Sequence, residues 1–337
     1  MVRIVVAALV ALAISIAAGP KFIEFLRTNT FGQPIREEGP KSHQVKQGTP
    51  TMGGLLFLLA AAIPFLALGR YTTNALIVLF ITMGCAAIGF LDDYAKLTKR
   101  RSLGLSGRWK LVALALITGV VSLVLAHRDF STSVYLPIAD VEIPLSYGWY
   151  PFLFLVIAGA ANGVNLTDGL DGLAGGTSVI SLFTFVAMIV IAYIRSGPPQ
   201  HRSQLYLDLA ILCAALIGGI VGFIWFNAFP AEVFMGDTGS MALGGALAGF
   251  AIVMKTEVLL LFIGGIFLIE ALSVMIQVFS YKRWGRRVFL MAPIHHHFEM
   301  KSWSETKIMV RFWIIAAILC AGGFALYYRY YFKFFRG

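Results

Sequence analysis

Ten stretches of mainly apolar residues divide the chain: roughly 2–25, 52–69, 74–91, 110–127, 150–165, 175–194, 205–225, 240–254, 258–279 and 308–328. A helix needs about 20 such residues to cross the hydrocarbon core of a bilayer. Inside lipid, every backbone N–H and C=O must find its partner within the protein, so spans of this kind are helices. The expected fold is therefore an all-α polytopic membrane protein, one integral-membrane domain over 1–337 with about ten transmembrane helices. Only 13% of the 337 residues are charged and 58% are hydrophobic, whereas a soluble domain carries about 25% charged residues. That excludes a water-soluble globule, a disordered chain and a secreted disulfide scaffold. Cys85, Cys213 and Cys320 lie far apart in apolar runs, with neither metal-ligand nor disulfide spacing. Between 130 and 147, Val134–Leu136 and Val141–Ile143 flank Pro137 and Asp140 and read as a small extracytoplasmic β-hairpin.

Charge sets the orientation. The connections after the first, third, fifth, seventh and ninth spans, with the adjoining span ends, hold 18 of the 27 Lys and Arg. Basic loops stay in the cytoplasm, so these connections are expected to be cytoplasmic and both termini periplasmic or extracellular. The net charge of +10 in so apolar a chain points to anionic lipid or an anionic substrate rather than nucleic acid. The run Lys99-Arg-Arg101 and the stretch Lys282-Arg-Trp-Gly-Arg-Arg287 read first as lipid-surface anchors.

There are only 17 acids, and most fall on the same side. Acids at a membrane end are costly and usually functional. Adjacent Asp92 and Asp93 repel each other unless a cation relieves them, and hard oxygen ligands suit Mg²⁺ or Mn²⁺; Lys96, one turn on, could neutralise them instead. Asn165, Asp168 and Asp171 recur every third residue, on one face if helical, and glycines beside them allow close approach of a ligand. Helix capping would explain one acid there but not two acids and an Asn. Asp237, in Gly236-Asp-Thr-Gly-Ser240, reads as a helix N-terminus beside an anion site, with the acid a metal ligand. His295, His296 and His297 are consecutive and cannot all point one way. A three-histidine zinc site is therefore not expected, and phosphate contact or proton transfer suits them better. The stretch from Lys41 to Gly54 is rich in Lys and Gly but lacks P-loop spacing.

Each motif alone is ambiguous, but all five open on one membrane face. Carboxylates for a divalent metal, lysines for phosphate and histidines together suit phosphoryl transfer, in which catalysis is positioning and charge neutralisation. A transporter or channel would carry acids at mid-span, yet only Glu270 lies inside a span. A binding scaffold needs no metal-type cluster.

Five blocks carry a resemblance. They are Gly48-Thr-Pro-Thr-Met-Gly-Gly54, Asp92-Asp-Tyr-Ala-Lys96, Asn165-Leu-Thr-Asp-Gly-Leu-Asp-Gly-Leu-Ala174, Phe234-Met-Gly-Asp-Thr-Gly-Ser240 and Ala292-Pro-Ile-His-His-His-Phe-Glu299. In this order they resemble the polyprenyl-phosphate N-acetylhexosamine-1-phosphate transferases, and the triple histidine separates the branch that uses UDP-MurNAc-pentapeptide from relatives that use UDP-GlcNAc. The resemblance implies a ten-span enzyme of the bacterial plasma membrane with a cytoplasmic cleft. It would be Mg²⁺-dependent (Mn²⁺ in its place) and would transfer phospho-MurNAc-pentapeptide from UDP-MurNAc-pentapeptide to undecaprenyl phosphate, giving lipid I and UMP. A homodimer and nucleoside antibiotics are the further partners it implies. Carried over by motif, Asp237 would hold the metal with Asp92 and Asp93 beside it. Gly169, Leu170, Asp171 and Phe234 would form a uracil pocket. Asn165, Asp168, Asn227 and Gln277 would be polar contacts in the cleft, Lys46, Thr51, Lys96 and Lys110 would face phosphates, and the three histidines would lie near the sugar-phosphate region. Val45 and Leu103 stand where relatives often carry lysine, and Met241 where leucine is frequent.

Overall fold

The computed structural model describes residues 1–29, 48–99 and 104–334. Lys46, Val45 and Leu103, together with Arg100 and Arg101 of the basic run, lie outside the described residues. Twelve helices follow one another among them: α1 (Val2–Thr28), α2 (Gly54–Leu68), α3 (Thr73–Lys99), α4 (Gly107–Ala126), α5 (Trp149–Thr167), α6 (Leu173–Arg195), α7 (Gln204–Asn227), α8 (Gly236–Val253), α9 (Leu260–Ile263), α10 (Gly265–Trp284), α11 (Ile294–Glu299) and α12 (Glu305–Phe334). Eight stretches, those of α1, α3, α4, α5, α6, α7, α10 and α12, are long and apolar enough to cross a bilayer. α2 is apolar but shorter, at 15 residues. α8 buries all but one of its residues inside the protein. The stretch predicted as one span over 258–279 is broken at Gly264, leaving a single turn, α9, before α10. α3 continues beyond residue 91, so Asp92, Asp93 and Lys96 ride on its last turns.

α8 is the axis of the bundle. α3 and α5 pack along it, α7 lies in a layer with α1, α2 and α6, and α12 closes against α6 and α10. Helices that meet without a hydrophobic driving force between them rely on small residues that let backbones approach. Gly89 of α3 shows how tight this is, because a methyl group there would overlap the Asp237 carbonyl at the head of α8.

The hairpin forms as its alternation predicts, with β1 (Ser133–Leu136) antiparallel to β2 (Val141–Pro144) and Val134 opposite Ile143. It is clamped to the bundle by Lys255, beyond the C-terminus of α8. Lys255 Nζ donates to the carbonyls of Ser131 (2.9 Å) and Ser133 (2.6 Å) and lies over the rings of Phe130 and Trp149. Its salt-bridge partner Glu257 is 3.5 Å away and buried. Burial, offset by that ammonium, pushes the Glu257 carboxyl up and holds the Lys255 ammonium down.

The α3–α8 approach gives a clear expectation. Gly89→Ala should lower stability by about 3 kcal/mol, the upper range for overpacking, whereas Gly119→Ala in α4, where an added methyl meets nothing, should not. Thermal melting of both variants in detergent checks this; equal melting points would remove the close approach as a constraint.

Candidate active site

The cluster is built where three helix ends meet. Asp92 and Asp93 lie at the end of α3, Lys110 in the first turn of α4 and Asp237 in the first turn of α8. The N-terminus of α8 has no side-chain cap from its own residues, and its first N–H groups need acceptors. Asp93 supplies them from α3. Its Oδ2 accepts from the Thr238 N–H (2.9 Å) and Thr238 Oγ1 (2.8 Å), and its Oδ1 from the Asp237 N–H (3.2 Å). Asp92 is differently held, with Oδ1 accepting from the Leu105 N–H at 2.7 Å.

Two ammoniums bind the carboxylates together. Lys96 Nζ is 2.7 Å from Asp92 Oδ2, 2.9 Å from Asp237 Oδ1 and 3.7 Å from Asp93 Oδ1. Lys110 Nζ is 2.7 Å from Asp237 Oδ2 and 3.1 Å from Asp92 Oδ1. Asp92 and Asp93 are almost fully buried, at 1% and 2% exposure. Three carboxylates against two ammoniums leave one negative charge uncompensated. Ligand oxygens of Asp92, Asp93 and Asp237 lie within 4.8 Å of one another. This all-oxygen, anionic set fits a hard divalent cation, and the oxygens free to change partner are those that now meet lysines.

Next to this cluster, the 48–54 motif runs beside the Phe234–Asp237 segment. Phe234 N–H donates to the Pro50 carbonyl (2.8 Å), and Gly53 N–H to the Phe234 carbonyl (2.9 Å). Gly236, at φ +74°, brings the backbone against Thr51. Among the described residues Thr51 Oγ1, buried there, has no hydrogen-bond partner, a polar atom that a ligand oxygen could satisfy. Asn165 connects α5 to α8, its Nδ2 donating to Ser240 Oγ at 2.9 Å.

Asp168 follows α5 in the turn that leads to Asp171. Its removal from water, with Asp237 and Asp93 as like-charged neighbours, pushes its carboxyl well above the usual range. Asp171 Oδ2 accepts from the Ala231 N–H (3.0 Å), and Asn227 Oδ1 from the Gly172 N–H (3.1 Å) while its Nδ2 donates to Val233 O. Asp171 and Asn227 thus fasten this turn to the 228–235 loop. Leu170 is buried with Leu173, Ile266, Ile308 and Phe312, whereas Phe234 remains partly exposed.

The three histidines on α11 point three ways. His295 Nδ1 is 3.1 Å from Glu270 Oε1 in α10. His296 Nδ1 pairs with Glu299 Oε2. His297 Nδ1 accepts from the Leu290 N–H at 3.1 Å. Only His295 is buried, and its ring rests against Gly169, where a methyl group would overlap Nε2. Gln277 holds the 288–289 loop beside His297, its Oε1 accepting from the N–H groups of Val288 and Phe289. Hydrogen bonds lead from the first turn of α8 through Ser240 and Asn165 to the Asp168 N–H, and the adjoining Gly169 lies against His295. Glu270, placed inside a span and assigned no chemistry from the sequence, enters this set; its position seven residues before Gln277, near the histidine block in the fold, was the available signal.

Residues 75–255 match the model of glycosyl transferase family 4, and residues 46–58 match phospho-N-acetylmuramoyl-pentapeptide-transferase signature 1. The chain is 45% identical to the phospho-N-acetylmuramoyl-pentapeptide-transferase of Geobacillus sp. (strain WCH70), over 95% of this chain and 96% of the relative. It is 45% identical to that of Rubrobacter xylanophilus, over 97% and 98%, and 48% identical to that of Granulibacter bethesdensis, over 95% and 91%. The chain belongs to the phospho-N-acetylmuramoyl-pentapeptide-transferase family. The matched signature reaches Thr51, and the family model spans the carboxylates of α3 and α8, so the transferase motifs and the charged cluster coincide.

The raised Asp168 carboxyl has a measurable consequence. A group whose folded pKa exceeds its unfolded one destabilises the fold as pH rises above the unfolded value near 3.9. Metal-free Asp168→Asn should therefore melt above the wild type at pH 8, with the gap narrowing toward pH 5. A gap that is absent or widens on acidification counts against the shift.

Proposed function

We propose that this transferase moves phospho-MurNAc-pentapeptide from UDP-MurNAc-pentapeptide to undecaprenyl phosphate, releasing UMP and leaving lipid I. The observation that carries the proposal is the cluster of Asp92, Asp93, Asp237, Lys96 and Lys110 at one end of the bundle, in a chain whose relatives bear this activity in their name. In this reading ten helices span the bacterial plasma membrane, both termini lie outside, the cleft faces the cytoplasm and the enzyme works as a homodimer. The excess of Lys and Arg in the connections on the cluster's side supports that orientation.

Magnesium, or manganese in its place, would be held by Asp237 and Asp92 and would supply charge neutralisation for the transferring phosphoryl group. The protein's own groups do the rest. Lys96 and Lys110 exchange their carboxylate partners for phosphoryl oxygens and balance the donor's charge. Thr51 Oγ1 donates to one of those oxygens. The 169–171 turn and Phe234 hold the uracil, with Phe234 stacked on the ring, and nucleoside antibiotics would compete there.

The reaction runs in one step. An oxygen of undecaprenyl phosphate attacks the β-phosphorus, the bond to the bridging oxygen breaks, and UMP leaves. A phosphate monoester loses its second proton with a pKa of about 6, so the acceptor is already largely dianionic and Asp93 has little proton to remove. Asp93 is also held by three donors at the head of α8, which suits a group that orients. Trapping a phospho-sugar ester on an aspartate without lipid acceptor would replace this scheme with a two-step one.

Asp237→Asn should lower metal-dependent turnover by about 10²–10³-fold, the scale of losing one electrostatic contact to the transition state; near-native kcat would remove Asp237 from the metal site. UMP release in detergent with Mg²⁺ and undecaprenyl phosphate, run in parallel with UDP-MurNAc-pentapeptide and UDP-GlcNAc, tests the substrate. Release with the first alone is expected, and release with UDP-GlcNAc alone would overturn the assignment.

A further inference from the structure

Glu270 lies within α10, and both it and His295 have no solvent exposure. An acid buried at membrane depth needs a partner. Among the described residues no Lys or Arg pairs with Glu270. Its Oε1 meets His295 Nδ1 at 3.1 Å, its Oε2 has no partner, and Ser273 Oγ reaches only its backbone carbonyl. The adjacent His296 is paired with Glu299. On the far side of the His295 ring, Nε2 is buried, has no partner among the described residues and abuts Gly169.

The arrangement restricts where the protons sit. If both groups are ionised, the imidazolium carries a proton on each nitrogen. If both are neutral, the Glu270 hydroxyl donates to Nδ1 and the ring's own proton is on Nε2. Either state is neutral overall, and both protonate Nε2. Two hydrogen-bonded states leave Nε2 bare. Carboxylate with neutral imidazole puts a net negative charge in a fully buried site, which is strongly disfavoured. A neutral acid with its proton on Oε2, accepting from Nδ1–H at Oε1, exchanges the O–H···N bond for a weaker one and strands the hydroxyl proton on an oxygen that has no partner among the described residues. The tautomer of a histidine is set by what its other nitrogen bonds.

We infer that Glu270 is a positioning residue that fixes a proton on His295 Nε2, so that His295 presents a hydrogen-bond donor at the Gly169 turn to an acceptor oxygen of the nucleotide donor. The ligand part of this inference rests on the transferase reading above; the proton's place does not. Gly169 is needed because any side chain would occupy the space into which Nε2 points. The acceptor is a pyrimidine carbonyl or a phosphoryl oxygen, both of which take a single N–H.

The test uses full-length enzyme in detergent. Glu270→Leu should raise KM for UDP-MurNAc-pentapeptide about tenfold, the cost of a hydrogen bond to a charged or polarised group, with kcat little changed. Glu270→Gln should stay close to the wild type, because its amide N–H can donate to Nδ1 and keep the proton on Nε2. In a His295→Ala background, Glu270→Leu should add no further loss. Weaker inhibition of Glu270→Leu by both uridine and UMP would place the acceptor on the base, and by UMP alone on the phosphate. Equal damage from Leu and Gln, a wild-type KM in the Leu variant, or losses that multiply with His295→Ala would each overturn the role. Nitrogen-15 spectra of histidine-labelled wild type, with His295 identified by its loss in His295→Ala, should show Nε2 bonded to a proton at pH 7; a bare Nε2 overturns the inference whatever the kinetics. If the wild type releases no UMP while Nε2 is protonated, the proposed reaction fails and the proton placement stands.

Discussion

The structure depends on one carboxylate placed at the head of another helix. Asp93, on α3, accepts the first N–H groups of α8 together with the Thr238 hydroxyl. A helix N-terminus inside a membrane protein cannot turn to water for acceptors, and an unpaired amide there costs free energy comparable to a lost hydrogen bond. An anion is the best partner for these two amides and the positive end of the helix dipole. The satisfied amides fix the height of α3 against α8, and Gly89 lets the two backbones close to the distance this bond requires. Asp92 and Lys96, on the same turns of α3, are thereby carried to Asp237. The α7 residue Asp208 holds the connection that leads into the opposite end of α3, where its carboxylate accepts from the Arg70 and Thr72 N–H groups. Two acids that are distant in sequence from the helices they serve thus set the frame around the cluster.

Once the frame is fixed, the charges explain themselves. Asp237 cannot avoid Asp92 and Asp93, because the helix that bears it begins on Asp93. Lys96 and Lys110 relieve the repulsion, but one negative charge remains, and it lies where a cation or a transferring phosphoryl group with its counterion would meet it. The lysines are flexible ammoniums that can pass from carboxylate to phosphate with little rearrangement of the backbone. A cluster built this way keeps the resting fold neutral enough to survive burial while leaving its charges available.

Much of this was legible in the sequence, and the parts that were not have a common cause. The apolar runs announced the helices because lipid leaves the backbone no alternative. The hairpin followed from β-branched residues alternating around Pro137 and Asp140. The five motifs were expected together from a count of ten spans; eight stretches are long and apolar enough to cross a bilayer, and the fold nonetheless brings motif segments together, 51 against 236, 93 against 237 and 169 against 295. Phe234 and Thr51 were named from their motif, and the fold brings their segments together. What the sequence hid were partnerships across the bundle. Asp93 read as half of a carboxylate pair because its partner amides lie 144 and 145 positions away. Leu170, in a polar glycine-rich turn, gave no sign that it packs on α10 and α12. The break at Gly264 was hidden because glycine, frequent in membrane helices, does not by itself mark an end. Asn227 and Gln277 were expected as polar contacts in the cleft; their amides are engaged by backbone groups of the 172, 233 and 288–289 segments, a role visible only when those loops are in place.

The buried acids therefore divide by the nature of their partners rather than by depth. Asp93, Asp171 and Asp208 accept from backbone N–H groups, which cannot move without unwinding a helix or a turn; these acids hold geometry. Asp237 faces ammoniums, which can leave, and so does Asp92, although its Oδ1 is also held by the Leu105 N–H; these acids can exchange a lysine for a ligand. Glu270 belongs to neither group, since its partner is a ring that can carry the proton on either nitrogen. A bond to a backbone amide fixes an acid's place, a bond to an ammonium leaves it able to take a ligand, and a bond to an imidazole can decide where a proton resides. All three kinds are found among α3, α5, α8, α10 and α11, where the proposed reaction would place its charges and its hydrogen-bonded nucleotide.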